Sequence, residues 1–161
     1  RALGISNFDA SDEVFEKIMS ESTVKPAVLQ IECHPYAQRL AMREKVKPYG
    51  IHITCWFPLG GAMSNGALFK DPTIIAIAKA HDKTPAQVIL RWHMQEGFSA
   101  LPGASNPDYI KENIEIFDFE LTDEEMAQMR GLNKEKRFFN MPLKEKERDY
   151  LRNMQIPTQH K

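Results

Sequence analysis

The chain has 161 residues, of which 21 are basic and 22 acidic, and its net charge is −1. This length corresponds to about one domain that can bury its own core. The balanced charge excludes the strongly basic surface of nucleic-acid-binding proteins, and no apolar run approaches the roughly 20 residues of a membrane span.

The cysteine and histidine content indicates neither a disulfide framework nor a metal centre. Cys33 and Cys55 are the only cysteines, and no CxxC or HxxxH spacing occurs. A reduced, cytoplasmic setting is therefore expected. Cys55 lies within a predicted strand, where a small core residue is the simplest interpretation.

The first predicted element is an apolar strand, Ala2–Ile5, followed by two polar residues. A helix is predicted over Asp9–Ser20, because apolar residues recur on one face, with Asp9 or Ser11 as its N-cap. A second apolar strand, Ala27–Ile31, follows.

Two further elements follow before the middle of the chain. A helix over Gln38–Val46 is predicted to end near Pro48. The third strand covers Ile51–Trp56. The Gly60–Gly66 loop after it contains Gly, Asn and Ser and is of the kind that lies over a site or is mobile.

The remaining elements are mostly helical. A helix is expected over Pro72–His81, and a second over Thr84–Gln95, where Pro85 suits the first helical position. The fourth strand, Phe98–Leu101, is followed by a helix over Asn106–Glu115. A capping box, Thr122–Glu125, opens a last helix that ends at Gly131.

This alternation of strands and helices predicts an α/β fold. The strands are apolar on both faces, a pattern typical of a parallel sheet covered by helices. Four βα units account for residues 1–132. Residues 133–161 form a charged, irregular tail, in which Lys144–Asp149 is interpreted as a solvated helix face.

Sequence phrases at the four strand ends, and others in the helices between and after them, occur in a recognisable order. They are Gly4–Phe8, Gln30–Tyr36, Thr54–Gly60, Ala86–Val88, Leu90–Trp92, Leu101–Pro107 with Glu112 and Asn113, and Ile116–Leu121. In this order and spacing they strongly resemble the aldo-keto reductase superfamily. The resemblance implies a (β/α)8 TIM barrel, of which this chain matches strands five to eight, about half. It also implies an NAD(P)H-dependent oxidoreductase that reduces aldehydes or ketones to alcohols.

The resemblance assigns cofactor contacts to particular residues. Ser6, Asn7 and Gln30 would hold the nicotinamide carboxamide, since together they offer donors and acceptors. Trp56 stands where the family has an aromatic residue, usually Tyr, that stacks on the nicotinamide ring.

The adenine side of the cofactor is matched by later residues. By the same resemblance, backbone at Leu59 and Gly61 would approach the pyrophosphate. Glu112 and Asn113 match the family's adenine contacts.

Two departures bear on the choice between NADP and NAD. Gly103 stands where many members have Lys, and Tyr109 where an Arg is usual; those cations would pair with the 2′-phosphate of NADP. Ser105 could replace them weakly, and Lys111 is a second candidate. Both NADP and NAD use therefore stay open.

No catalytic residue is assigned to this chain. In the family, the tetrad of Asp, Tyr, Lys and His comes from the first four strands, and the Tyr protonates the carbonyl oxygen. We expect the chain to be the rear half of a reductase, with the missing N-terminal half as its partner, and to be inactive alone. Residues 133–161 would form a lid over the substrate pocket, with apolar candidates Phe138, Phe139 and Met141.

Two alternatives remain open. The chain could be a non-catalytic half-barrel that binds nucleotide or self-associates, because a four-stranded half leaves two unpaired edges. It could also be a truncated gene product.

Overall fold

A computed structural model describes residues 2–8 and 12–139 and contains one parallel β-sheet. Each strand lies beside the strand that precedes it along the chain. The strands are β1 (Gly4–Ser6), β2 (Val28–Glu32), β3 (His52–Trp56) and β4 (Ser99–Ala100). Parallel strands added one after another in chain order are the arrangement of a β/α barrel, so the sheet is part of such a barrel.

Six α-helices in the described part of the chain connect and follow the strands. They are α1 (Asp12–Glu21), α2 (Leu40–Val46), α3 (Pro72–Ala80), α4 (Pro85–Gln95), α5 (Pro107–Ile114) and α6 (Asp123–Gly131). Thr84 and Thr122 each form a capping box, with Gln87 and Glu125 respectively, which satisfies free N–H groups at the starts of α4 and α6. Among the described residues, no helix combines the length and apolarity needed to cross a membrane.

The core lies between the sheet and its helices. Alternate strand residues point to this side, and Leu29, Ile31, Ile53 and Cys55 are buried there with apolar residues of the helices. The opposite face is only partly covered, so the expectation of strands buried on both faces is wrong for this chain. The four described strands do not close into a barrel, and on that face Gln30, Thr54 and Trp56 are half-buried, whereas Glu32 is buried.

Several element boundaries differ from those predicted. β1 starts at Gly4, and β4 forms ladder pairs only at Ser99 and Ala100 rather than over Phe98–Leu101. α2 starts two residues late because Arg39 adopts a left-handed conformation with φ 59°. The predicted caps Asp9 and Ser11 and the predicted helical segment Lys144–Asp149 lie outside the described residues, as does Met141.

Candidate functional site

The register of the sheet brings the predicted polar residues together where the strands have their carboxyl ends. Ser6 pairs with Gln30, and Gln30 pairs with Thr54, on three adjacent strands. Within the described residues, neither the Ser6 hydroxyl nor the Gln30 side-chain amide has a hydrogen-bond partner. Both are therefore available to a ligand at the carboxyl ends of the strands, where barrel enzymes place their sites.

Asn7 and Trp56 form a direct contact that the sequence did not indicate. The indole Nε1 of Trp56 donates to Oδ1 of Asn7 at 2.8 Å. The Asn7 backbone N–H donates to the Gln30 carbonyl at 2.9 Å, and its φ of 61° turns the chain out of β1. Asn7 thus fixes the indole and keeps its amide NH₂ free to donate.

The chain turns sharply after β3 through residues with positive φ. Phe57, Gly60 and Gly61 have φ of 50°, 84° and 57°. A Cβ at Gly61 would lie 2.9 Å from the Phe57 ring, so only glycine fits that position without displacing the ring. A positive φ at a bulky residue such as Phe57 is uncommon, and such strain concentrates at functional sites.

A cavity of about 530 Å³ lies beyond this turn, between the start of α4 and one side of α5. Four predicted contact residues line it, namely Leu59, Gly61, Glu112 and Asn113. The two departures from the family pattern, Gly103 and Tyr109, also line it. The rest of its lining consists of Ala62, Phe69, Thr84, Pro85, Ala86 and Ala104. Among the described residues, Glu112 is the one charged side chain in this lining.

Gln87 of α4 holds α5 in place beside the cavity. Its side-chain amide donates to the carbonyls of Glu112 and Glu115 at 3.3 and 3.0 Å. The Thr84 hydroxyl donates to the Glu112 carboxylate. These contacts orient the end of α5 that carries Glu112 and Asn113.

Two of the predicted residues lie elsewhere. Ser105 is exposed and is not part of the cavity lining. Lys111 lines a separate cavity on the other side of α5, and its ammonium lies 3.7 Å from Glu115. Neither residue therefore lines the 530 Å³ cavity, and a role for either at a 2′-phosphate stays a prediction.

Glu32, at the end of β2, is a buried carboxylate that sequence reasoning did not single out. It is fully buried and accepts hydrogen bonds from Arg137 at 2.9 Å and from the backbone N–H groups of Phe138 and Phe139 at 2.6 and 3.1 Å. Burial raises the pKa of Glu32, but hydrogen bonds from His34, Arg137 and these N–H groups outweigh it and lower the pKa from 4.5 to about 2. Glu32 is thus ionised at neutral pH.

Cys33, Cys55 and His93 form a second buried group, with potential ligand atoms within 4.8 Å of one another. Both nitrogens of His93 already face backbone carbonyls, of Ile89 at 2.8 Å and of Cys33 at 3.1 Å. Burial raises the pKa of Cys55 well above its usual range, which favours the thiol over a metal-binding thiolate. The cluster lies within the helix-packed core, so we interpret it as packing.

Comparison with known proteins identifies the family. The sequence model described as the Aldo/keto reductase family matches residues 1–134. The chain therefore belongs to the aldo/keto reductase family, whose fold is a (β/α)8 barrel.

Curated relatives come from distant organisms. Aldo-keto reductase family 1 member A1-A of Danio rerio is 39% identical over 144 residues, covering 86% of this chain and 44% of that protein. Morphine 6-dehydrogenase of Pseudomonas putida is 41% identical over 142 residues, covering 83% and 47%. The chain spans about half the length of the curated relatives it matches.

Solved structures agree with this assignment. An aldo-keto reductase enzyme, MGS-M4, from a deep-sea metagenome library of the Medee basin superposes with a TM-score of 0.81 at 30% identity, over 86% of this chain and 50% of that one. A variant of Gox0644 crystallised in complex with NADPH gives a TM-score of 0.75 at 38% identity, over 82% and 46%.

Proposed function

We propose that this chain forms the cofactor-binding side of an NAD(P)H-dependent oxidoreductase that reduces aldehydes or ketones to alcohols. The observations that carry the proposal are the polar residues at the carboxyl ends of β1 and β2, with Trp56 bonded to Asn7, and the cavity beside α5. Leu59 and Gly61, which line the cavity, follow Trp56 closely in the chain. The Gox0644 variant in complex with NADPH supports the same cofactor class.

In this proposal the nicotinamide end lies at the strand ends. Ser6, Asn7 and Gln30 hold the carboxamide, whose oxygen needs a donor and whose NH₂ needs an acceptor. Trp56 stacks on the ring, and its hydrogen bond to Asn7 keeps the indole aligned with the side chains that hold the carboxamide. Such positioning fixes which ring face delivers hydride.

The adenine end lies in the cavity beside α5. Leu59 and Gly61 bring backbone to the pyrophosphate, and the absence of a side chain at Gly61 allows a close approach. Glu112 and Asn113 meet the adenine from the side of α5. Residues 133–161 are proposed to close over the substrate end as a lid.

The charge of the cavity lining leads us to propose that NADPH is not preferred over NADH. Glu112, the one charged side chain that the described residues contribute to it, is anionic, whereas a 2′-phosphate calls for cations. A Cβ added at Gly103 would meet no atom of the described residues within 4 Å, and Tyr109 is largely exposed. Both positions therefore have room for a longer side chain.

Restoring the cations should therefore shift the preference. Gly103→Lys combined with Tyr109→Arg is expected to strengthen NADPH binding about tenfold, on the order of 1.4 kcal/mol, with little effect on NADH. Calorimetric dissociation constants for both dinucleotides measure this. Tyr109→Phe is the control, since it keeps the ring and adds no charge. Equal gains for NADH and NADPH would contradict the proposal.

The chain alone is proposed to bind the dinucleotide without turning over. By the resemblance given above, the family's tetrad comes from strands one to four, whereas this chain matches strands five to eight. Mixing the 161-residue chain with NADH or NADPH and 4-nitrobenzaldehyde should leave the absorbance of the reduced cofactor constant. Steady oxidation that scales with chain concentration would overturn this part of the proposal.

Association with further strands is a second proposal, favoured by the edges of the sheet. β1 and β4 are edges of the described sheet. Beside β4, large apolar side chains are exposed, namely Leu101, Ile110, Ile114 and Phe117. An N-terminal half-barrel or a second copy of the chain could cover them.

A cytoplasmic location is proposed as well, since Cys33 and Cys55 are both free thiols.

A further inference from the structure

A buried carboxylate joins β2 to the segment that follows α6. Glu32 accepts from the side chain of Arg137 and from the backbone N–H groups of Phe138 and Phe139, which lie 105 to 107 residues later in the chain. A carboxylate has about four acceptor positions on two oxygens, enough for these donors and for His34 at 3.2 Å. A neutral amide at this position would have one acceptor oxygen and would turn its NH₂ toward donors.

The start of the same segment is held by other groups. The backbone N–H groups of Lys134 and Lys136 donate to the Tyr36 carbonyl at 3.0 and 2.9 Å. Asn133 accepts from the backbone N–H of Gln38 at 3.1 Å. Removing the Glu32 charge should therefore release residues 137–139 while residues 133–136 stay attached.

These contacts place two aromatic rings at the candidate site. Phe138 stacks on His34 with ring centres 4.6 Å apart. Phe139 meets Trp56 edge-on, with ring centres 5.4 Å apart. A Cβ at Gly60 would lie 3.1 Å from the Phe138 ring, so the turn after β3 leaves room for this segment.

We propose that Glu32 is a positioning residue, whose carboxylate holds Arg137–Phe139 against the ends of β2 and β3 and thereby sets Phe139 beside Trp56. The inference rests on the proposed function in one respect, because it makes Phe139 a wall of the nicotinamide end. The anchoring itself is independent of any cofactor. Glu32 does not reach the reacting atoms in this account and acts through Phe139.

Amide hydrogen exchange at Phe138 and Phe139 tests the anchoring directly, since these N–H groups are the ones that Glu32 binds. In Glu32→Gln, their exchange should accelerate by about tenfold or more, while amides of β2 and β3 keep their protection. The tryptophan emission should shift to the red, as Trp56 loses the cover of Phe139. Both measurements are made without dinucleotide, so failure here leaves the proposed function standing, and failure to bind dinucleotide leaves the anchoring standing.

Glu96 provides a matched control. It is also a nearly buried glutamate, with 3% side-chain exposure, and it pairs with Arg130 at 2.7 Å and with Arg43. Glu96→Gln should lower overall stability without selective exchange at Phe138 and Phe139.

Two results would overturn the proposal. One is unchanged exchange at Phe138 and Phe139 in Glu32→Gln; the other is equal acceleration in Glu96→Gln. If Glu32→Gln does not fold, Arg137→Met is measured instead. It removes one donor and leaves the carboxylate with its backbone partners, so exchange should rise a few-fold, and no rise would overturn the proposal.

Discussion

Trp56→Ala is expected to weaken NADH binding by about 30-fold, on the order of 2 kcal/mol. About 1 kcal/mol comes from lost ring stacking. A similar amount comes from the lost hydrogen bond at 2.8 Å that orients Asn7, whose amide would then have to be ordered by the ligand itself. Calorimetric titration of both proteins with NADH gives the ratio of dissociation constants.

A conservative variant separates the two contributions. Trp56→Phe keeps an aromatic face but lacks the indole N–H, so NADH binding should weaken only about fivefold. Phe117→Ala, at an exposed position that does not line the 530 Å³ cavity, serves as the control and should leave NADH binding unchanged. Equal NADH affinities of Trp56→Ala and the unchanged chain would show that Trp56 does not contact the cofactor.

A loss of stability between about pH 6.5 and pH 4 is the second large effect, and it arises from His93. Burial lowers the pKa of His93 from 6.5 to about 4, against the opposing effect of hydrogen bonds to two carbonyls. Below pH 6.5, His93 binds a proton in the unfolded chain but stays neutral in the folded chain until the pH approaches 4. The stability that neutral His93 contributes is therefore complete above pH 6.5 and falls as the pH drops toward 4, by about 3 kcal/mol in all.

Urea unfolding at about pH 7.5 and about pH 5 measures this loss. Glu32 interferes little, because its lowered pKa keeps its contribution complete above pH 4.5 and removes it only toward pH 2. His93→Gln should be less stable at neutral pH but should lose less on acidification. His52→Gln, at an exposed histidine, should match the unchanged chain. The same pH dependence in His93→Gln would show that another group causes it.

Local signals in the sequence predicted much of the fold. The capping box predicted at Thr122–Glu125 is present at the start of α6, because such a box depends only on residues three positions apart. The sequence predicted a longer β4, because Phe98 and Leu101 are residue types common in strands. In the described sheet β4 has a single neighbouring strand, β3, and pairs with it only at Ser99 and Ala100. Composition reports the tendency to form a strand, whereas pairing depends on what lies beside it.

The long-range contacts that shape the site could not be predicted from sequence patterns. Asn7 and Trp56 were both predicted as site residues, but their mutual bond joins positions 49 residues apart. Glu32 was interpreted only as part of a family phrase, because its partners near Phe138 lie in a segment with no regular structure. Such pairs follow from how the βα units stack, which local periodicity does not encode.

Energy transfer from tryptophan to bound NADH, compared between the unchanged chain and Trp56→Phe, tests the central claim most directly. Transfer falls steeply with distance, and the other tryptophan, Trp92, is buried in the core and is unchanged in the variant. The account predicts saturable nicotinamide emission on titration of the chain, reversed by excess ADP-ribose and strongly reduced in Trp56→Phe. No saturable emission, or an equal signal in Trp56→Phe, would mean that the nicotinamide ring does not lie beside Trp56 and would contradict the account.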